Sequence, residues 1–122
     1  MNSINKDIGF FGESIAEDYI KKLGYLIVER NFNCKIGEID IIAKDENYMV
    51  FIEVKTRYDD RYGLPCEAVT YAKQYKIYKT AQFYILKKKL YNLKFRFDVI
   101  EIKINKINNK NDIRLIKNAF QI

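Results

Sequence analysis

Residues 37–57, "GEIDIIAKDENYMVFIEVKTR", set four charged side chains, Glu38, Asp40, Glu53 and Lys55, into an otherwise apolar run. Carboxylates and an amine at this spacing can do hydrolytic chemistry. Side chains alternate along a strand, so Glu38, Asp40 and Ile42 share one face of a first strand. Phe51, Glu53, Lys55 and Arg57 share one face of a second. The opposite faces, Ile39, Ile41 and Ala43 with Val50, Ile52 and Val54, are wholly apolar and must be buried together beneath a helix. A one-residue slip would mix the two kinds of face, so the pairing parity is fixed. With "DENY" as a four-residue hairpin loop, Lys44 pairs with Met49, Ile42 with Phe51, Asp40 with Glu53 and Glu38 with Lys55.

Two carboxylates then stand roughly 5 Å apart across the strands. At an effective dielectric of 20 they repel by about 3 kcal/mol. A divalent cation reverses that sign. Mg²⁺, or Mn²⁺ in its place, takes hard oxygen ligands, keeps waters, and is held by one or two carboxylates plus substrate phosphates. Lys55 can lie beside the water that such an ion activates, and stabilise charge developing on a phosphate. The competing reading is a solvated sheet face with a Glu38–Lys55 ion pair worth about 0–1 kcal/mol. It leaves the opposition of Asp40 and Glu53 unexplained.

The elements that must position these groups are legible around them. Residues 7–23 read as an amphipathic helix, with Ile8, Phe11, Ile15, Ala16, Tyr19, Ile20 and Leu23 at helical spacing and Gly24 as its stop. Glu13 borders that stripe. "YLIVERNFN", 25–33, reads as a strand before the charged pair, 36–44 and 48–57. "YDDRYGLP", 58–65, reads as a loop. Thr70 suits the cap of a helix over 71–89, with Gln74, Ile77, Tyr78, Ala81, Tyr84 and Ile85 on one face and Lys73, Lys76, Lys79 and Lys87 on the other. Strands follow at 94–104 and 113–120. The expectation is one α/β domain over residues 1–122, ordered α-β-β-β-α-β with a short final strand.

Composition narrows the chemistry further. The chain of 122 residues has no histidine, which excludes Ser-His-Asp and Cys-His catalysis. Cys34 and Cys66 lack metal-site spacing and are expected to be inert, unpaired thiols. Residues 1–69 carry nine positive and thirteen negative side chains, residues 70–122 thirteen and three. An acidic half beside a basic half suits a cation site next to a polyanion-binding surface. No apolar run reaches the ~20 residues of a membrane span, and the N-terminus does not read as a signal peptide, so a cytoplasmic location is expected.

Asp40 followed by "Glu53-Val54-Lys55" resembles the D…ExK signature of the PD-(D/E)xK nuclease superfamily, and the element order resembles its restriction-endonuclease-like core, a central mixed sheet flanked by helices. The runs "GFFGESIAEDYIKKLGYLIVERNF", "GEIDIIAKD", "VFIEVKTR", "YGLPCEAVTYAKQYKI", "RFDVIEI" and "NAF" together resemble the YraN family of bacterial endonuclease-like proteins, relatives of archaeal Holliday-junction resolvases. The resemblance covers nearly the whole chain. It implies Asp40 and Glu53 as metal ligands, with the Val54 carbonyl as a third and Glu13 completing the site. It implies Lys55 as the catalytic lysine. It leaves Glu38 either binding a second metal or holding Lys55. Gln74 with Tyr78 is similar to the Gln-x-x-x-Tyr motif of RecB-type nucleases. Ile39 stands where the superfamily's name has proline.

Arg57 and Arg61 flank the site, where they can contact phosphate or pair with Asp59 or Asp60. Lys73 and Lys76 can track a DNA backbone or form a solvated helix face. Tyr62 can stack a base or pack. Asp98, between aromatics, suits a structural hydrogen bond. The expected activity is a Mg²⁺- or Mn²⁺-dependent DNA endonuclease acting on DNA, branched by family analogy, as a homodimer, with no membrane and no small-molecule cofactor. The alternative is a nucleic-acid-binding module that does not cleave on its own.

Overall fold

The apolar faces of the hairpin do meet, and a helix covers them. The computed structural model of the protein describes residues 3–58, 69–105, 107–108 and 110–121. Its elements are α1 (Ser3–Lys22), β1 (Leu26–Asn33), β2 (Glu38–Asp45), β3 (Tyr48–Tyr58), α2 (Tyr71–Lys88), β4 (Lys94–Ile104) and β5 (Asn111–Ile116). This is the expected order, and the five strands form one mixed sheet, β1-β2-β3-β4-β5. Neighbours are antiparallel except β3 and β4, which run parallel from Tyr48–Lys94 to Tyr58–Ile104. A parallel pair needs a crossover, and α2 lies in it.

Alternation along the strands sends apolar side chains to both sides of the sheet. On one side Ile41, Ala43, Val50, Ile52, Ile100 and Ile102 pack with Ala16 and Ile20 of α1. On the other, Ile42, Met49, Phe51 and Val99 pack with Ile77, Ala81 and Tyr84 of α2. Phe51 meets Tyr84 edge-on at 6.0 Å, and Phe97 stacks on Phe120 at 5.0 Å. The charged face of the hairpin is therefore also a core face over part of its length. Ile39 departs from the expected alternation and joins the α2-side core.

The ends of the elements follow their residues. Gly24, at φ 98°, takes the left-handed conformation that ends α1. Thr70 caps α2, its hydroxyl accepting from the Lys73 N–H at 3.2 Å. Asp45 pairs with Tyr48, so the β2–β3 turn has two residues, with Glu46 at φ 54°. The turn is tighter than a four-residue loop, but Lys44 still faces Met49 and Ile42 still faces Phe51.

Asp98 is fully buried and carries the structural role expected of it. It accepts from the Tyr25 hydroxyl, from Arg96 Nε and Nη2, and from the Asn118 N–H, all within 3.1 Å. Arg96 also reaches Asp45 at 3.0 Å. A buried carboxylate with four donors is satisfied, and the network ties β4 to the start of β1 and to the turn after β5. Among the described residues, no helix is long and apolar enough to cross a membrane.

Candidate functional site

The β2–β3 ladder stops at Ile41–Ile52. Before that point in β2, Ile39 and Glu38 remain paired with Phe32 and Asn33 of β1. β2 thus follows β1 away from β3. Asp40 sits in the opening, one step past the last pair and within the charge field of Glu53. Its Oδ2 accepts the Val54 N–H at 2.8 Å, replacing the ladder bond that β2 no longer offers. Neither the Asp40–Glu53 nor the Glu38–Lys55 pairing expected from the register is formed. Glu38 stays opposite Asn33 and is exposed, while Lys55 is half-buried in register with Glu101 of β4. The physical reason is the divergence of the strands, which parity cannot reveal.

Four carboxylates act on one another around this opening. Glu53 is 8% exposed. Burial raises the Asp40 carboxyl, the charges of Glu53, Glu13 and Glu38 raise it further, and the Val54 N–H only partly opposes them; it is pushed up to about 7. Glu13, from α1, is also raised, by burial first and by Glu38 and Glu53, against the lowering influence of Arg30 and an Asn31 hydrogen bond. Its Oε1 is buried without a hydrogen-bond partner. α1 lies across the other side of the sheet, and Glu13 feels Asp40 and Glu53 where the strands have parted.

A lysine of α2 answers part of this negative charge directly. Lys73, in the first turn of α2, places Nζ on Glu53 Oε2 at 2.5 Å. Burial alone would lower the Lys73 amine, but the hydrogen bond and charge of Glu53, with Asp40 and Glu38 beyond it, raise it. In the sequence Lys73 is one of several lysines on a basic helix face, and nothing there marks this pairing, which joins residues twenty apart across a crossover. Arg30 and Asn31 also act on Glu13, and nothing in the pattern of β1 marks them.

The donor chemistry fits a hard divalent cation: Asp40 and Glu13 raised by burial and by neighbouring carboxylates, one oxygen without a hydrogen bond, and a cation already drawn in. Among the described residues no three His, Cys, Asp or Glu side chains converge into a ready-made metal cage. A Mg²⁺ site completed by water and phosphate needs only one or two carboxylates. Asp40 and Glu53 are the pair so placed, with Glu13 behind them.

The other expected residues divide. Val54 contributes its N–H to orienting Asp40. Arg57, half-buried near the end of β3, stands in register with Lys103. Lys76 is exposed on α2. Gln74 faces a different feature: its Nε2 donates to the Val69 carbonyl at 2.9 Å, and it lines a cavity of about 150 Å³ with Val99, Glu101 and Phe120. Arg61 lies outside the described residues, as do Asp59, Asp60, Tyr62 and Cys66. Cys34 is a free, half-buried thiol.

Gly12 sets the height of Glu13 over the sheet. A Cβ there would lie 1.8 Å from Thr56 Oγ1 and 2.8 Å from Thr56 Cβ. Helix propensity alone would make Gly12→Ala stabilising by about 1 kcal/mol. The clash reverses the sign, and a net loss of about 1–3 kcal/mol is expected in urea unfolding. A stabilised variant would show that α1 does not press on β3 at this point.

The model of uncharacterised protein family UPF0102 matches residues 12–102 of this chain, a span that holds Glu13 and the whole opening. A UPF0102 protein of Clostridium botulinum is 65% identical over 123 residues, covering all of both chains. A UPF0102 protein of Clostridium kluyveri is 59% identical over 122 residues, again covering both in full.

Proposed function

The chain belongs to the uncharacterised protein family UPF0102, the YraN family of the sequence resemblance, and on that premise we propose that it is a metal-dependent DNA endonuclease. The observation that carries the reading is the placing of Asp40 where β2 leaves β3: its carboxylate is oriented by the Val54 N–H, beside Glu53 and within the field of Glu13 and Glu38. A sheet built for stability alone has no use for that repulsion.

Asp40 and Glu53 would hold the cation, with Glu13 as a further carboxylate acting on them. A bound Mg²⁺ or Mn²⁺ supplies a water activated at neutral pH and Lewis acidity toward a phosphoryl oxygen. The Val54 N–H fixes Asp40 before any ligand arrives, so its orientation costs nothing at the moment of reaction. Lys55, two residues beyond Glu53 on the same face of β3, brings its ammonium to the charge that develops on the phosphate. Arg57 and the exposed Lys76 lie beyond, where phosphates of a DNA strand can be held. The substrate, its branching and the homodimer remain parts of this proposal, drawn from family analogy.

Purified protein incubated with circular DNA tests it. Nicking that requires Mg²⁺ or Mn²⁺ and stops on chelation is the expected result. Salt-sensitive binding to linear, flap and four-way DNA, with cleavage of none, would instead favour a binding module on the same fold.

A further inference from the structure

Resting on that metal-site reading, we infer that Lys73 is the site's internal counter-cation: its ammonium holds Glu53 while no metal is bound, and a divalent ion binds by displacing it.

The two partners differ in their freedom to move. The Lys73 side chain is 50% exposed and that of Glu53 only 9%. Lys73 therefore approaches from the solvent side and can swing away without repacking, whereas Glu53 is fixed in β3. An ammonium is also a poor match for what surrounds it. It offers one charge and three donors to a field made by Glu13, Glu38, Asp40 and Glu53. With Lys73 in place, Glu13 Oε1 is still buried without a hydrogen-bond partner. A divalent ion brings twice the charge and several coordination positions to the same oxygens. Lys73 holds the carboxylates together without satisfying them, which is the condition for exchange.

The exchange has a consequence for DNA. Lys73 and Lys76 lie within one turn of each other at the start of α2, and Lys76 is exposed. Once off Glu53, the Lys73 ammonium joins Lys76 on the surface next to the metal. Metal loading then converts a lysine that neutralises the protein's own carboxylate into one offered to a phosphate. The surface best suited to a polyanion forms only when the site is charged with its cation.

Mn²⁺ titrated calorimetrically into chelator-stripped protein, without DNA, tests the inference. Lys73→Met is expected to bind Mn²⁺ about 3- to 30-fold more tightly than the wild type. Lys79→Met, which removes an exposed charge further along α2, should change affinity by less than about twofold. A second reading is the acylation rate of Lys73 by an amine-reactive ester, followed by peptide mass spectrometry. It should rise several-fold at saturating Mn²⁺ while that of Lys79 stays constant. Unchanged or weaker Mn²⁺ binding by Lys73→Met, or a Lys73 acylation rate indifferent to Mn²⁺, overturns the displacement if Glu53→Gln still weakens Mn²⁺ binding at least about tenfold. If Glu53→Gln and Asp40→Asn bind Mn²⁺ like the wild type, the metal site itself is overturned, and the displacement with it.

Discussion

Asp40→Asn, Glu53→Gln and Lys55→Ala are each expected to slow metal-dependent DNA cleavage by at least about 10²- to 10³-fold, with the fold intact by circular dichroism. The three losses have different causes and separate in the assay. Asp40→Asn keeps an oxygen for the Val54 N–H but lacks the charge that attracts a cation. Glu53→Gln loses that charge and the Lys73 ion pair together. Both should fall further at limiting Mn²⁺ and recover partly as Mn²⁺ is raised. Lys55→Ala touches neither carboxylate in the structure, so its Mn²⁺ dependence should match the wild type while its maximal rate is low. Lys76→Ala removes one exposed charge and should act through DNA affinity, lowering the salt dependence by about one phosphate contact. Cleavage at wild-type rates by all three site variants would remove the opening between β2 and β3 from the chemistry altogether.

The sequence announced this opening only in part, and the reasons are physical. A period of two separates Ile41 from Ile42 and Ile52 from Phe51, because burying the wrong face would be ruinous. Register parity is therefore legible, and Asp40 does lie within the charge field of Glu53, though not as its ladder partner. The length of the ladder is not legible. Alternation looks the same whether β2 stays with β3 or follows β1, so the pattern points Glu38 to Lys55 although it stands opposite Asn33. The tight turn escaped because Glu46, with no glycine beside it, gives no sign of a left-handed backbone. Thr70 and Gly24 were legible as helix ends because their side chains, or the lack of one, do local work. Lys73 was not, since on a solvated helix face every lysine looks alike until tertiary packing brings one of them to Glu53.

Asp40→Asn should also make the metal-free protein more stable at pH 8, by about 2–4 kcal/mol in urea unfolding. Its ordinary value of 3.8 is pushed up to about 7 in the folded chain, by burial first and by Glu53 next. The folded state therefore binds the proton more tightly than the unfolded one, and between about pH 4 and pH 7 stability falls as pH rises. The displacement corresponds to about 4 kcal/mol at most, lost in full above pH 7. Glu13, raised as well, pushes in the same direction. Wild-type protein in chelator should accordingly be more stable at pH 5 than at pH 8. Asparagine has no charge to bury and can still accept the Val54 N–H, so the variant's advantage should be largest at pH 8 and vanish near pH 4. Saturating Mn²⁺ at pH 8 should restore the order, stabilising the wild type and leaving Asp40→Asn almost unmoved. A loss of stability in Asp40→Asn at pH 8 without metal would mean that the carboxylate is held by partners that want its charge, and that the fold keeps Asp40 for its own sake.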